Sequence, residues 1–219
     1  MTFSIDFTVG KLANRQRQGI SFREPLARAL GIKPNKSLNI IDATAGLGRD
    51  AFIMASLGCQ VTLLERSPIV FEALKKAIFE AQQNPALTAI ADRMHLQHRD
   101  SIGYLKNLVG EEICLANKTV DAIYLDPMYS ATQKSALVKK EMRDLREIVG
   151  DDLDVENLFQ ATIKASTKRV VVKRHRHAPP IAGSQPTHAI LTKLLRFDVY
   201  LFPPQFSLPP AISQGPFEK

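Results

Sequence analysis

Apolar residues along this chain follow two rhythms, and the alternation between them lays out strands and helices in turn. Short apolar runs at 38–41, 60–65, 94–97, 120–125 and 168–173 read as strands buried on both faces. Between them apolar positions recur every three or four residues. Val70, Leu74, Ala77 and Ala81 do so behind Ser67 and Pro68, an N-cap and first-turn pair. Val138, Met142, Leu145 and Val149 make a second stripe on a helix over 133–149. Val155, Leu158, Phe159 and Thr162 make a third on a helix that starts near Asp154. A shorter helix is predicted over 49–57, stopped by Gly58. Ser21 and Glu24 have capping-box spacing before Pro25, so a helix is expected through Leu30 with Gly31 as its stop. Residues 4–9 alternate like a short strand, 33–37 read as a loop, and 189–194 with 197–202 suggest a closing antiparallel pair.

Strands alternating with helices imply an α/β fold: a mainly parallel sheet with helices on both faces. At 219 residues the chain suits one such domain. We expect residues 1–34 to be a short extension packed on a core of 35–203. The tail, 204–219, is expected to be irregular, since five prolines fall from Pro203 onward. No apolar run reaches the roughly 18–20 residues that cross a bilayer, and no secretory signal pattern opens the chain. Cys59 and Cys114 lack ligand spacing and read as core thiols of a cytoplasmic protein.

The formal charge is +7, from 29 Lys and Arg against 22 Asp and Glu, and the excess is uneven. It gathers in 134–146 and 168–177, a pattern that favours a polyanionic partner.

The candidate chemistry lies at the carboxyl ends of the predicted strands, where open parallel sheets bind ligands. The first strand ends in Asp42, and a small-residue turn with Gly46 and Gly48 leads into Arg49, Asp50 and a helix. Such a turn lets a ligand lie against bare backbone at a helix N-terminus. A dinucleotide fingerprint would need a third glycine to seat the helix. The second strand ends in Glu65 and Arg66, about twenty residues on, where a carboxylate can accept both ribose hydroxyls of an adenosine. After the third strand stand Asp100 and Ser101, which can accept from an adenine amino group. The fourth ends in Asp126, Pro127, Met128 and Tyr129.

The glycine turn resembles motif I of class I methyltransferases, which bind S-adenosylmethionine. Asp126-Pro-Met-Tyr129 resembles the (Asp/Asn/Ser)-Pro-Pro-(Tyr/Phe) motif of enzymes that alkylate exocyclic amines of bases. An aryl amine is a weak nucleophile, because its lone pair is delocalised. Asp126 and the Pro127 carbonyl can accept its N–H bonds and aim the lone pair at a methyl group. Tyr129 can stack on an unstacked base.

Together with Gln133–Arg143, Lys168–Arg174 and Ala178-Pro-Pro180, these motifs resemble the bacterial small-subunit ribosomal RNA methyltransferase J family over about residues 5–202. The resemblance implies a class I, Rossmann-like methyltransferase fold and S-adenosylmethionine as donor, with S-adenosylhomocysteine as product and no metal. It implies methylation of N2 of one guanine in 16S rRNA, conventionally G1516, with 16S rRNA or the 30S subunit as partner and no membrane or obligate protein partner. Carried over by motif, Arg49, Asp50, Glu65, Arg66, Asp100, Ser101 and Asp126 would line the cofactor site with Asp42, Gly46 and Gly48. Asp126, Pro127 and Tyr129 would be catalytic. Lys139, Arg143 and Arg146 on one helix face, with Lys173, Arg174 and Arg176 after strand five, could hold rRNA phosphates. Met128 stands where the exocyclic-amine motif has its second proline, and two positions depart from the methyltransferase J pattern: Asp100 replaces a serine and Tyr129 a phenylalanine. Two rival readings stand beside this one: an adenine-N6 methyltransferase on RNA or DNA, and an rRNA-binding assembly factor without activity.

Overall fold

The structure, a computed structural model, describes residues 4–108, 114–115, 118–127, 154–165 and 168–202. Its framework is a seven-stranded sheet. In chain order the strands are β1 (Asn39–Asp42), β2 (Gln60–Glu65), β3 (Met94–His98), β6 (Ala122–Leu125), β7 (Arg169–His175), β8 (His188–Leu191) and β9 (Leu195–Leu201). A separate two-residue pair, β4 (Cys114–Leu115) and β5 (Lys118–Thr119), precedes β6. The sheet order is β3-β2-β1-β6-β7-β9-β8. The first five strands in that order run parallel, and β9 returns antiparallel between β7 and β8. The chain leaves β1 toward β2 on one side and reaches β6 on the other. That reversal opens a crevice above the carboxyl ends of β1 and β6.

Alternation along each strand sorts the core into two layers. Ile40, Val61, Leu63, Ala122, Tyr124, Val171 and Val199 face one side, with Phe52, Leu74 and Leu30 from its helices. Ile41, Leu64, Ile123, Leu125, Val170 and Val172 face the other, with Leu105 and Phe159. The first layer is covered by α2 (Pro25–Leu30), α3 (Arg49–Ser56), α4 (Pro68–Gln82) and α5 (Thr88–Ala91). The second is covered by α6 (Ser101–Asn107) and α7 (Val155–Ala165).

The N-terminal segment departs from its predicted form. Residues 4–9 make no strand, and α1 (Gly10–Arg17) follows them where no helix was expected. Phe7 instead inserts into the first layer, stacked on Phe52 with ring centres 5.0 Å apart. Ser21 does not cap α2. Its hydroxyl accepts from Arg23 N–H in a preceding turn, Glu24 is the N-cap, and the Glu24 carboxylate pairs with Arg15 instead of reaching back to Ser21. Pro25 and the left-handed Gly31 bound the helix as predicted. Arg169 of β7 donates to the Ala29 carbonyl at 2.7 Å, which ties the end of α2 to the sheet. The expected helix over 133–149 lies outside the described residues. Among the described residues no helix is long and apolar enough to cross a membrane.

Candidate functional site

The crevice above β1 and β6 is a cleft, and its floor is the turn after Asp42. Within that turn Thr44 N–H donates to Asp42 Oδ1 at 3.1 Å, and Gly46 takes a φ of +48°. A left-handed φ costs glycine least, which explains its place at this bend. Glu65, at the end of β2, reaches across to brace the same turn. Its Oε2 accepts from Gly46 N–H at 3.0 Å and its Oε1 from Ser67 N–H at 2.7 Å. Burial raises the Glu65 pKa, while these N–H groups and Arg66 pull it back.

Asp126 closes β6 on the far wall. Its backbone N–H donates to Thr44 Oγ1 at 2.7 Å, so the turn and the end of β6 share one hydrogen bond. Pro127 is buried directly behind it. The Asp126 carboxylate accepts from Lys173 Nζ at 2.7 Å, and Asp50, in the first turn of α3, accepts from the same ammonium at 2.8 Å. Tyr124 Oη donates to Asp50 at 2.6 Å. Asp42 lies beneath these groups, 1% exposed. Burial pushes its pKa up to about 8, Thr44 N–H opposes this, and the Asp50 and Asp126 charges add to it. For Lys173 burial works against the charge, but Asp126 and Asp50 outweigh it and hold the ammonium above its ordinary pKa. Tyr124 is held well above the usual phenol value, first by burial and then by the Asp50 and Asp126 charges.

At the other end Asp100 caps α6, its Oδ2 accepting from Gly103 N–H at 2.7 Å. Ser101 Oγ donates to the Ala43 carbonyl at 2.7 Å. Arg66 and Asp154 pair at 2.7 Å beside the cleft, linking the end of β2 to the start of α7.

The structure thus gathers Asp42, Gly46, Arg49, Asp50, Glu65, Arg66, Asp100, Ser101 and Asp126 around one space. Gly48 is not among its lining residues. It is the left-handed N-cap of α3, and a Cβ there would meet Leu74 Cδ1 at 2.6 Å and Phe7 Cζ at 3.2 Å. Gly48 therefore lets the start of α3 sit close against α4 and Phe7, with its bare side toward the core.

Two basic residues also change place. Lys173 lies inside the cleft between two carboxylates, and Arg174 is 5% exposed with its guanidinium on the Pro179 carbonyl. Neither is an open surface cation. Arg176, half-buried, donates to the Thr192 carbonyl at the β8–β9 turn. Tyr129, Lys139, Arg143 and Arg146 lie outside the described residues.

Sequence reading missed Thr44, Tyr124, Asp154 and the inward placement of Lys173. Strand periodicity could have found two of them. Tyr124 is two residues before Asp126 on one strand, and Lys173 is two after Val171 on its neighbour, so both face α3. Asp154 carried no such signal.

Among the described residues, five carboxylates (Asp50, Glu65, Asp100, Asp126, Asp154) line this space with the protonated Asp42, against three cations (Arg49, Arg66, Lys173). That balance repels a pyrophosphate and suits a ligand with net positive charge, such as a sulfonium with an amino-acid tail. A carboxylate at the β2 end, beside a glycine bend, suits a ribose. This donor set fits S-adenosylmethionine better than a dinucleotide.

The family described as "Putative SAM-dependent methyltransferase" matches residues 1–202. The chain is 44% identical over 207 residues to ribosomal RNA small subunit methyltransferase J of Dechloromonas aromatica, covering 94% of this chain and 80% of that protein. It is 47% identical over 198 residues to the protein of the same name from Thioalkalivibrio sulfidiphilus, covering 90% and 75%. A crystal structure of a SAM-dependent methyltransferase from Neisseria gonorrhoeae superposes with a TM-score of 0.69 at 35% identity, covering 90% of this chain and 74% of that one. The shared fold is the class I, Rossmann-like methyltransferase architecture.

Proposed function

The chain belongs to the ribosomal RNA small subunit methyltransferase J family, and from that premise we propose that it methylates N2 of a guanine in 16S rRNA. S-adenosylmethionine supplies, when bound, an electrophilic methyl group on a sulfonium. The chain's own residues bind it, orient the target amine and exclude water.

Glu65 has lone pairs beyond those used by Gly46 and Ser67, and these accept the ribose hydroxyls. Asp100 and Ser101 take the adenine edge, where Ser101, its own proton given to Ala43, offers acceptor capacity to an amino group. Arg49, Asp50 and Asp42 take the charged amino-acid end. Asp126 and the Pro127 carbonyl accept the two N–H bonds of the guanine amine and hold its lone pair in line with the methyl carbon. Such positioning contributes roughly 7–11 kcal/mol in favourable cases. Tyr129 supplies the stacking face for the everted base. Lys139, Arg143, Arg146 and Arg176 contact rRNA phosphates, and residues 1–34 serve as a brace on the methyltransferase domain. The reading implies a cytoplasmic protein acting on 16S rRNA or the 30S subunit.

The observation that carries this proposal is the 2.7 Å bond from Asp126 N–H to Thr44 Oγ1. It fixes the acceptor-binding strand end against the donor-binding turn, as in-line transfer between two bound substrates requires. The test is incubation with 30S subunits lacking the modification and a labelled donor, followed by digestion to nucleosides. We expect label in N2-methylguanosine alone. Label in N6-methyladenosine would select the adenine enzyme instead. Tight S-adenosylhomocysteine binding without any transfer would select the assembly factor.

A further inference from the structure

Lys173 bridges two carboxylates of the cleft wall. Its Nζ is 2.8 Å from Asp50 Oδ2 and 2.7 Å from Asp126 Oδ2, and its side chain is only 20% exposed. Three elements meet at this ammonium: β7 brings Lys173, α3 brings Asp50, and β6 ends in Asp126. Tyr124 completes the set by donating to Asp50 from the layer beneath.

The Asp126 side chain is 40% exposed, so burial alone does not fix its rotamer. It also faces a crowd of like charges. Asp50 from α3 stands beside it; Glu65 from β2, Asp100 ahead of α6 and Asp154 ahead of α7 line the same cleft, with Arg49, Arg66, Tyr124 and the protonated Asp42 of β1. Adjacent carboxylates without a cation tend to share a proton. A protonated Asp126 would turn one acceptor oxygen into a donor, and the N–H of an incoming amine would lose a partner.

We propose that Lys173 is a positioning residue for methyl transfer: its ammonium holds Asp126 in one orientation and keeps it ionised, ready to accept the N–H of the target amine. This rests on the role given to Asp126 under the proposed function. It also explains why a lysine in a basic run points inward. The charge it serves is that of the protein's own acids.

Lys173→Met keeps the apolar stem and removes the charge, while Lys173→Arg keeps a cation. In the ligand-free protein, carbon-13 NMR follows the carboxyl titration of Asp126. We expect Lys173→Met to move its midpoint up by about one pH unit or more, and Lys173→Arg to restore most of the difference. In single-turnover transfer to unmodified 30S subunits, Lys173→Met should be at least about tenfold slower, with the acid limb of its pH profile moved upward. Rates are compared at saturating donor, so that any loss of donor affinity through Asp50 does not enter them. An unchanged Asp126 titration in Lys173→Met would overturn the proposal, as would a uniform rate loss with an unshifted pH profile. If the parent protein itself transfers no methyl group, the proposed function fails. The carboxyl titration still decides the coupling between Lys173 and Asp126, so the two failures are distinguishable.

Discussion

Asp126 and Asp42 are two carboxylates of one cleft with opposite environments. Asp126, at the open end, pairs with an ammonium; Asp42, at the floor, is buried and holds its proton to about pH 8. Asp126→Ala should abolish methyl transfer, by at least about a hundredfold. Affinity for S-adenosylhomocysteine should change only a few-fold, because the turn and Glu65 remain. Calorimetry together with the 30S assay checks this, and full activity in the variant would remove Asp126 from the chemistry. For Asp42 the linkage runs in a definite direction. Its folded pKa lies above the ordinary aspartate value near 3.8, so its favourable contribution is complete below about pH 4 and is lost as pH rises toward 8. Across that window the unfolded chain gives up a proton that the folded chain keeps. Asp42→Asn, which mimics the protonated form, should therefore flatten the fall in stability by up to about 1.4 kcal/mol per pH unit. Urea unfolding of both proteins at several pH values in that window, without donor, measures the difference.

At the scale of elements, the turn between β1 and α3 depends on an approach only glycine permits. Gly48 has a φ of +66° and presses on Leu74 and Phe7. Gly48→Ala should destabilise the protein by about 1–3 kcal/mol through overpacking and backbone strain. Denaturant melts would register this even without donor, and an unchanged midpoint would show that the core gives way at no cost. This position also shows what the sequence disclosed and what it withheld. The parallel strands, α4 and the closing antiparallel pair were legible because each carries its own period and its own stops. Asp42, Gly46, Glu65 and Asp126 were legible because strand ends in such a sheet converge on one edge. The core contact of Gly48 was not legible, because a glycine's spacing does not tell whether its bare side faces a ligand or a leucine. The N-terminal segment was misread because an alternating hexapeptide has no strand identity until a neighbour pairs with it. Here Phe7 found an aromatic partner instead. Lys173 was read by its basic neighbours, whereas its direction follows from strand parity.

For the whole molecule, charge is divided by location. The chain carries a net +7, yet the cleft lining is predominantly acidic. The cleft thus suits a small cation, and the surplus of positive charge is left for the exterior, where a polyanion can meet it. Replacing Lys139 and Arg143 together by alanine should weaken rRNA binding and reduce the slope of log affinity against log salt. Two lost contacts at about 0.7 each for single-stranded RNA give a change near 1.4. Filter binding across a salt series tests this, and an unaltered slope would return both residues to ordinary solvated surface.

Lys173 follows Asp50 by 123 positions and Asp126 by 47. A ribosome building this polypeptide thus adds the counter-ion well after the acids it neutralises. Any copy whose translation halts before β7 lacks both this ammonium and the strand that pairs with β6 and β9. The acids of the cleft wall and the cation between them therefore meet only once the chain has been made through β7.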